Sequence, residues 1–109
     1  MSHIAFKIVE QHGDQMKALF HGIEGSRILP PKKWLKATEK MVVDGGRSRK
    51  YLSGFHIFMS RWDAEVYLEK SFTKRKELLK VVRCLAMRPR RKWHSKSPIW
   101  LAPEILIEK

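Results

Sequence analysis

The run Leu78-Leu79-Lys80-Val81-Val82-Arg83-Cys84-Leu85-Ala86-Met87 limits the folds open to this chain more than any other segment. In a strand, successive side chains point to opposite faces. Leu78, Val82, Cys84 and Ala86 then share one face with Lys80, while Leu79, Val81, Arg83, Leu85 and Met87 share the other. A strand wetted on one side alternates apolar and polar residues. One that is mostly apolar on both sides belongs at the centre of a sheet, covered on both faces. The chain is thus expected to build a sheet around residues 78–87.

That run lies inside the densest charge of the molecule. Between Lys74 and Lys96 there are ten Lys or Arg residues and one acid, Glu77, which is +9 of the chain's net +12. The apolar strand splits this charge into two cationic ends. Lys74-Arg75-Lys76 stands at one end, and Arg88, Arg90, Arg91, Lys92 and Lys96 at the other, roughly 30 Å apart at ~3.3 Å per residue. A fixed cluster of one sign attracts polyanions, and nucleic acid is the commonest in a cell.

The rest of the chain has the material for a core. Its 109 residues suit a single domain, 1–109, and 43% are hydrophobic, including eleven aromatics (Trp 4, Tyr 2, Phe 5). No apolar run approaches the ~20 residues of a membrane span, and Met1 to Lys7 has no apolar signal-peptide core, so a cytoplasmic protein without membrane association is expected. The single cysteine, Cys84, cannot form an internal disulfide; its apolar neighbours make it a small buried hydrophobe, the alternative being a thiol activated by Arg83.

Local signals fill in the elements. Ile4 to Val9 reads as a strand, Gln11 to Asp14 as a turn, Met16 to His21 as a second strand closed by Gly22, and Glu24 to Lys33 as a loop. Trp34 to Val43 is expected as one further strand, turning at Asp44-Gly45-Gly46 into a return arm from Ser48 to Tyr51, since Asp-Gly between extended segments marks a hairpin. Leu52 to Phe58 reads as a buried strand. Ser60 with Asp63 three residues on fits a helix start, and Trp62, Val66, Tyr67 and Phe72 fall at helical spacing over 60–71. After Arg88 to Lys92, a tight connection, the end from Pro98 to Ile107 gives one strand interrupted at Pro103, or two. The sum is an α+β fold: a β-rich single domain, mostly antiparallel, with one firm helix.

Among candidate site residues, Trp93 follows Arg90-Arg91-Lys92 directly, so it has a better claim than Trp100 to an exposed position where an indole can stack on unpaired bases. The five histidines and Cys84 have no zinc-ligand spacing, and no metal is expected. No Gly-rich phosphate loop is present. His21 and His56 lie in apolar company at expected strand ends.

Those two histidines carry a resemblance. Leu19-Phe20-His21-Gly22, then Phe55-His56-Ile57-Phe58-Met59-Ser60 leading into a helix, then Ser97-Pro98-Ile99-Trp100-Leu101-Ala102, is similar to the order of motifs in the RNA 2′-phosphotransferase branch of the ADP-ribosyltransferase-like fold. The resemblance implies that His21 holds the nicotinamide ribose of NAD, that His56 orients the cofactor, and that Arg27 or Arg61 neutralises a phosphate. His21-Gly22 is followed by Ile23, where that family carries a small hydroxyl residue, and no stretch of these 109 residues resembles the family's N-terminal domain with its catalytic arginine. The block Tyr51 to His56, with His94-Ser95, also resembles small proteins of phages and their bacterial hosts, a likeness that implies no particular activity.

The leading expectation is a domain without a cofactor that binds nucleic acid or a nucleoprotein through Arg88, Arg90, Arg91, Lys92, Trp93 and Lys96, extended by Lys74, Arg75 and Lys76. The alternatives are a compact enzyme acting on NAD or 2′-phosphorylated RNA through His21 and His56, and a phage-type module that docks on an acidic protein partner.

Overall fold

The structure, a computed structural model, describes residues 1–18, 28–37, 41–44, 49–71, 76–93 and 95–108. Ten strands are defined among them: β1 (Ser2–His12), β2 (Gln15–Ala18), β3 (Trp34–Lys36), β4 (Met41–Asp44), β5 (Arg49–Leu52), β6 (Phe55–Ile57), β7 (Leu79–Met87), β8 (Arg90–Arg91), β9 (Trp100–Ala102) and β10 (Glu104–Ile107). The helix α1 covers Arg61–Ser71, and a 3-10 turn, Lys76–Leu78, leads into β7. The domain is largely β, with antiparallel pairing throughout.

The apolar run takes the central place its composition demands. In the five-stranded sheet, ordered β2-β1-β7-β10-β3, β7 lies between β1 and β10. Nine pairs join β1 to β7, from Ser2↔Met87 to Glu10↔Leu79. A second sheet, β6-β9-β8, is not separate from the first. Phe6 and Phe58 exchange both backbone hydrogen bonds at 2.8 Å, which attaches the end of β6 to the outer edge of β1. At the other side β9 runs into β10 through Pro103. The pairings therefore form a closed circuit, β1 to β7 to β10, through the bend into β9, across to β6 and back to β1.

Two bends make the circuit possible. β7 and β8 are parts of one arm, and β9 and β10 parts of the other, for β7 pairs with β10 and β8 with β9. The first arm bends at Arg88-Pro89, where Arg88 adopts a left-handed backbone with φ 46°. The second bends at Pro103. Proline supplies no ladder donor, which suits it to a break between strands rather than to their middle.

Inside the circuit lies the main core: Ala5, Val9, Met16, Leu29, Leu35, Phe55, Ile57, Cys84, Ala86, Ala102, Ile105 and Ile107. Cys84 is buried and unpaired, and burial pushes its thiol up to about 11. The thiol is thus an inert core group, and the activated alternative does not hold. A second cluster sits outside the sheet, where α1 covers Phe6, Ile8, Leu79 and Val81 with Ala64, Tyr67 and Leu68, and Phe58 fills the seam. Ser60 caps this helix: the Asp63 amide donates to its Oγ at 3.1 Å. Asp63 in the first turn and Lys70 in the last suit the helix dipole.

Several expectations need correction. Trp34 to Val43 is not one strand: β3 pairs with β10 and β4 with β5. The hairpin of β4 and β5 exists, closing at Asp44↔Arg49, with its turn residues outside the described ones. The strand expected over Leu52 to Phe58 is shorter, since Leu52 ends β5. Gly54 begins the close approach to β9, where an added Cβ would stand 3.0 Å from the Ala102 carbonyl oxygen. Trp62 does not pack inward but lies exposed, because the buried face of α1 is set by Ala64, whose small side chain lets the helix approach the sheet. Finally, β7 is sealed on one face only. On the other, α1 covers Leu79 and Val81, while Arg83 is exposed.

Candidate polyanion interface around the second basic turn

β8 is two residues long and exists because Arg90 and Arg91 pair with Leu101 and Trp100 of β9. Alternation sends the two guanidinium groups to opposite faces. Both find backbone carbonyls. Arg90 Nη2 donates to Leu52 O at 2.6 Å and Ser53 O at 3.0 Å, tying β8 to the end of the β4-β5 hairpin. Arg91 Nη1 donates to Ser97 O and Ile99 O, each at 2.9 Å, and to Lys92 O at 3.3 Å. Charged donors strengthen such bonds, and the planar fork holds its acceptors in fixed geometry.

The loop after β8 is fixed by its backbone as well. Lys92 N donates to Ile99 O at 2.9 Å, Ser95 N to Lys92 O at 2.9 Å, and Ile99 N to Ser97 O at 2.7 Å. On this cross-tied loop Trp93 is 67% exposed and Lys96 is also exposed. Arg88, at the bend, is exposed and stands 3.5 Å from Glu104. Trp100, by contrast, packs against the main core.

His56 joins this group from 36 residues away in the chain. Phe55 and Ile57 face the core, so β6 turns His56 to the opposite face, where it is still largely covered. Its row across the small sheet is His56, Leu101, Arg90. Lys92 Nζ stands 3.3 Å from His56 Nε2. Burial, with Lys7 and Lys92 nearby, pushes the His56 pKa down to about 3. The ring is therefore neutral, and the Lys92 ammonium can donate to the Nε2 lone pair.

Behind His56 lies a cation that sequence reasoning missed. Lys7 points into the interior between Ala5 and Val9 and is only 3% exposed. Its Nζ donates to the His56 carbonyl at 2.9 Å and sits 5.7 Å from the centre of the Phe55 ring. Burial lowers its pKa to about 8. The available signal was a lone cation within the otherwise apolar run Ile4 to Val9.

The structure thus brings Arg88, Arg90, Arg91, Lys92, Trp93, Lys96 and His56 to one region. Lys76 opens the 3-10 turn beyond the far end of β7, whose eight steps from Leu79 to Met87 span roughly 26 Å at ~3.3 Å per residue. Lys74 and Arg75 lie outside the described residues, as do His94, Arg27 and His21, the last being the intended companion of His56. Arg61 lies over the Phe6 ring at 5.0 Å and 3.9 Å from Glu65. Among the described residues, no three His, Cys, Asp or Glu side chains stand together to hold a metal ion, and no helix is long and apolar enough to cross a membrane. No protein-family model, curated protein or solved structure matches this chain.

Proposed function

We propose that the domain binds nucleic acid through the turn and loop from Arg88 to Lys96, with single-stranded segments as the preferred ligand. The observation that carries this reading is Trp93, a 67% exposed indole on a loop whose carbonyls are pinned by Arg91. An exposed tryptophan offers a stacking platform for unpaired bases, and a loop ordered beforehand loses little entropy on binding. Arg88, Arg91, Lys92 and Lys96 supply phosphate neutralisation around it. Arg91 spends Nη1 on the loop, while its Nε and Nη2 carry three further donors. Arg90 anchors β8, from which the loop departs, and Lys76, beyond the far end of β7, serves only a longer strand.

Fluorescence anisotropy with labelled single-stranded and duplex RNA and DNA tests the reading. Affinity should fall steeply with salt, with a log–log slope of about −0.7 per phosphate neutralised on a single strand. Trp93→Ala should weaken single-strand binding by roughly tenfold or more, given ~1–3 kcal/mol per stacked base, and leave duplex binding nearly unchanged. Lys92→Ala with Lys96→Ala should flatten the salt slope. Absence of binding to every nucleic acid at low salt defeats the reading, and an unaffected Trp93→Ala variant removes the stacking role.

A further inference from the structure

The outer face of the main sheet is only half covered. Helix α1 lies over Phe6, Ile8, Leu79 and Val81. One step further along the strands the register aligns Ile4 with Leu85, Leu85 with Leu106, and Leu106 with Trp34. These four belong to the face opposite the core, since Ala5, Cys84, Ala86, Leu35, Ile105 and Ile107 take the inner parity. They form an apolar row across four strands, about 14 Å long at ~4.8 Å between strands. Ile4 is 50% and Trp34 42% exposed, and Leu85 and Leu106 are half-buried.

Charged residues border the row on both sides. Arg83 pairs with Glu108 at 2.8 Å on one side; Arg88 pairs with Glu104 at 3.5 Å on the other, where Glu104 also aligns with the exposed Lys36. In both pairs the guanidinium is the more exposed partner. The guanidinium groups are therefore the members of these pairs that an incoming partner reaches more readily.

We propose that this open half-face binds an acidic amphipathic helix of a partner protein. Two turns of helix present apolar residues at i, i+3 or i+4, and i+7 over ~10.5 Å, a length the row accommodates. Carboxylates flanking that stripe meet Arg83 and Lys36. A second copy of this chain is a poor occupant, since it also carries +12 and would set the same cations against each other. Arg88 borders both surfaces, but the row itself and the cations set to meet the helix, Arg83 and Lys36, take no part in the Trp93 site, so the inference stands whether or not nucleic acid binds there.

The test uses the intact domain and two labelled helical peptides with the same leucine stripe, one with glutamate and one with lysine on the remaining positions. The glutamate peptide should bind by anisotropy and perturb the NMR signals of Ile4, Leu85, Leu106 and Trp34. Ile4→Ser with Trp34→Ser should weaken it about tenfold, equivalent to one of the ~1.4 kcal/mol steps in binding free energy. Arg83→Glu with Lys36→Glu should weaken it similarly, and both double variants should keep the parent circular dichroism and nucleic-acid affinity. The proposal fails if the glutamate peptide does not bind, if the lysine peptide binds equally well, or if the NMR changes gather at Trp93. It also fails if sedimentation shows a dimer that Ile4→Ser with Trp34→Ser dissociates, for then a second copy occupies the face.

Discussion

Lys7 and Arg91 are both cations that donate to backbone carbonyls, yet they stand in opposite conditions. Lys7 is sealed between strands, and loss of hydration makes its charge costly. Arg91 is exposed to water and uses its guanidinium to pin a loop. His56 links the two: its carbonyl takes the Lys7 ammonium and its ring faces Lys92. The contrast teaches that the net charge of this domain is not one property. Cations in the loop organise a surface, and the cation under it makes stability depend on pH.

The largest expected effect is on the sealed side. The Lys7 pKa is lowered from 10.5 to about 8, so the native state sheds this proton first. Between those pH values the unfolded chain binds more protons at this site, and the Lys7 share of stability should rise with pH by about 3 kcal/mol, at ~1.36 kcal/mol per unit, while from pH 9 upward the raised Cys84 thiol acts in the opposite sense. Denaturant melts from pH 7.5 to 10.5 should show that rise in the difference between the parent and Lys7→Met, in which the opposing share of the Cys84 thiol cancels. A flat difference profile would mean that the ammonium reaches water and that the contrast with Arg91 is false.

His56 gives the next effect, on the acid side. Its folded pKa of about 3 lies below the ordinary 6.5, so its contribution is complete above pH 6.5 and is lost as pH falls toward 3. By pH 5 the loss should reach about 2 kcal/mol by the same proton linkage. His56→Gln should remove that share of the acid sensitivity in urea titrations. Equal acid sensitivity in parent and variant would assign it to carboxylates instead.

A smaller effect tests what keeps the sealed side sealed. Gly54→Ala would bring a Cβ to 3.0 Å from the Ala102 carbonyl, a backbone atom that cannot swing away. Overpacking of this kind should cost about 1–2 kcal/mol in thermal or urea melts. The smallest effect belongs to the open side. Arg88→Ala removes an exposed pair with Glu104 and should change stability by no more than about 0.5 kcal/mol. A large loss there would show that the bend, rather than the solvated charge, depends on that arginine.

The central position of β7 was legible because both parities of its residues are apolar, and α1 was legible from Ser60 and the spacing of Tyr67. The closed circuit was not. The breaks at Arg88 and Pro103 could be read locally, but the closure depends on the pairing of Phe6 with Phe58, a long-range event with no local periodicity. Trp62 misled because helical spacing reports which residues share a face, not which face a small residue such as Ala64 lets approach the sheet. The cations of the loop were readable as charge. That Arg90 and Arg91 would serve carbonyls of Ser53 and Ser97, and that Lys92 would meet His56, follows only from tertiary placement.

The register of β1 has a consequence for how the molecule is made. Glu10 pairs with Leu79, about 70 residues later in the chain, and no pair joining β1 to β7 spans less. At about 5–20 residues per second of synthesis, the first strand waits several seconds on the ribosome before its principal neighbour emerges. Its unpaired edge is apolar and exposed throughout that interval. Closure of such distant strands is also slow by its nature, since the entropy of the intervening chain is lost before the contacts form. Assembly must begin elsewhere, and the β7-to-β10 arm, whose partners are close in sequence, is the place where it can.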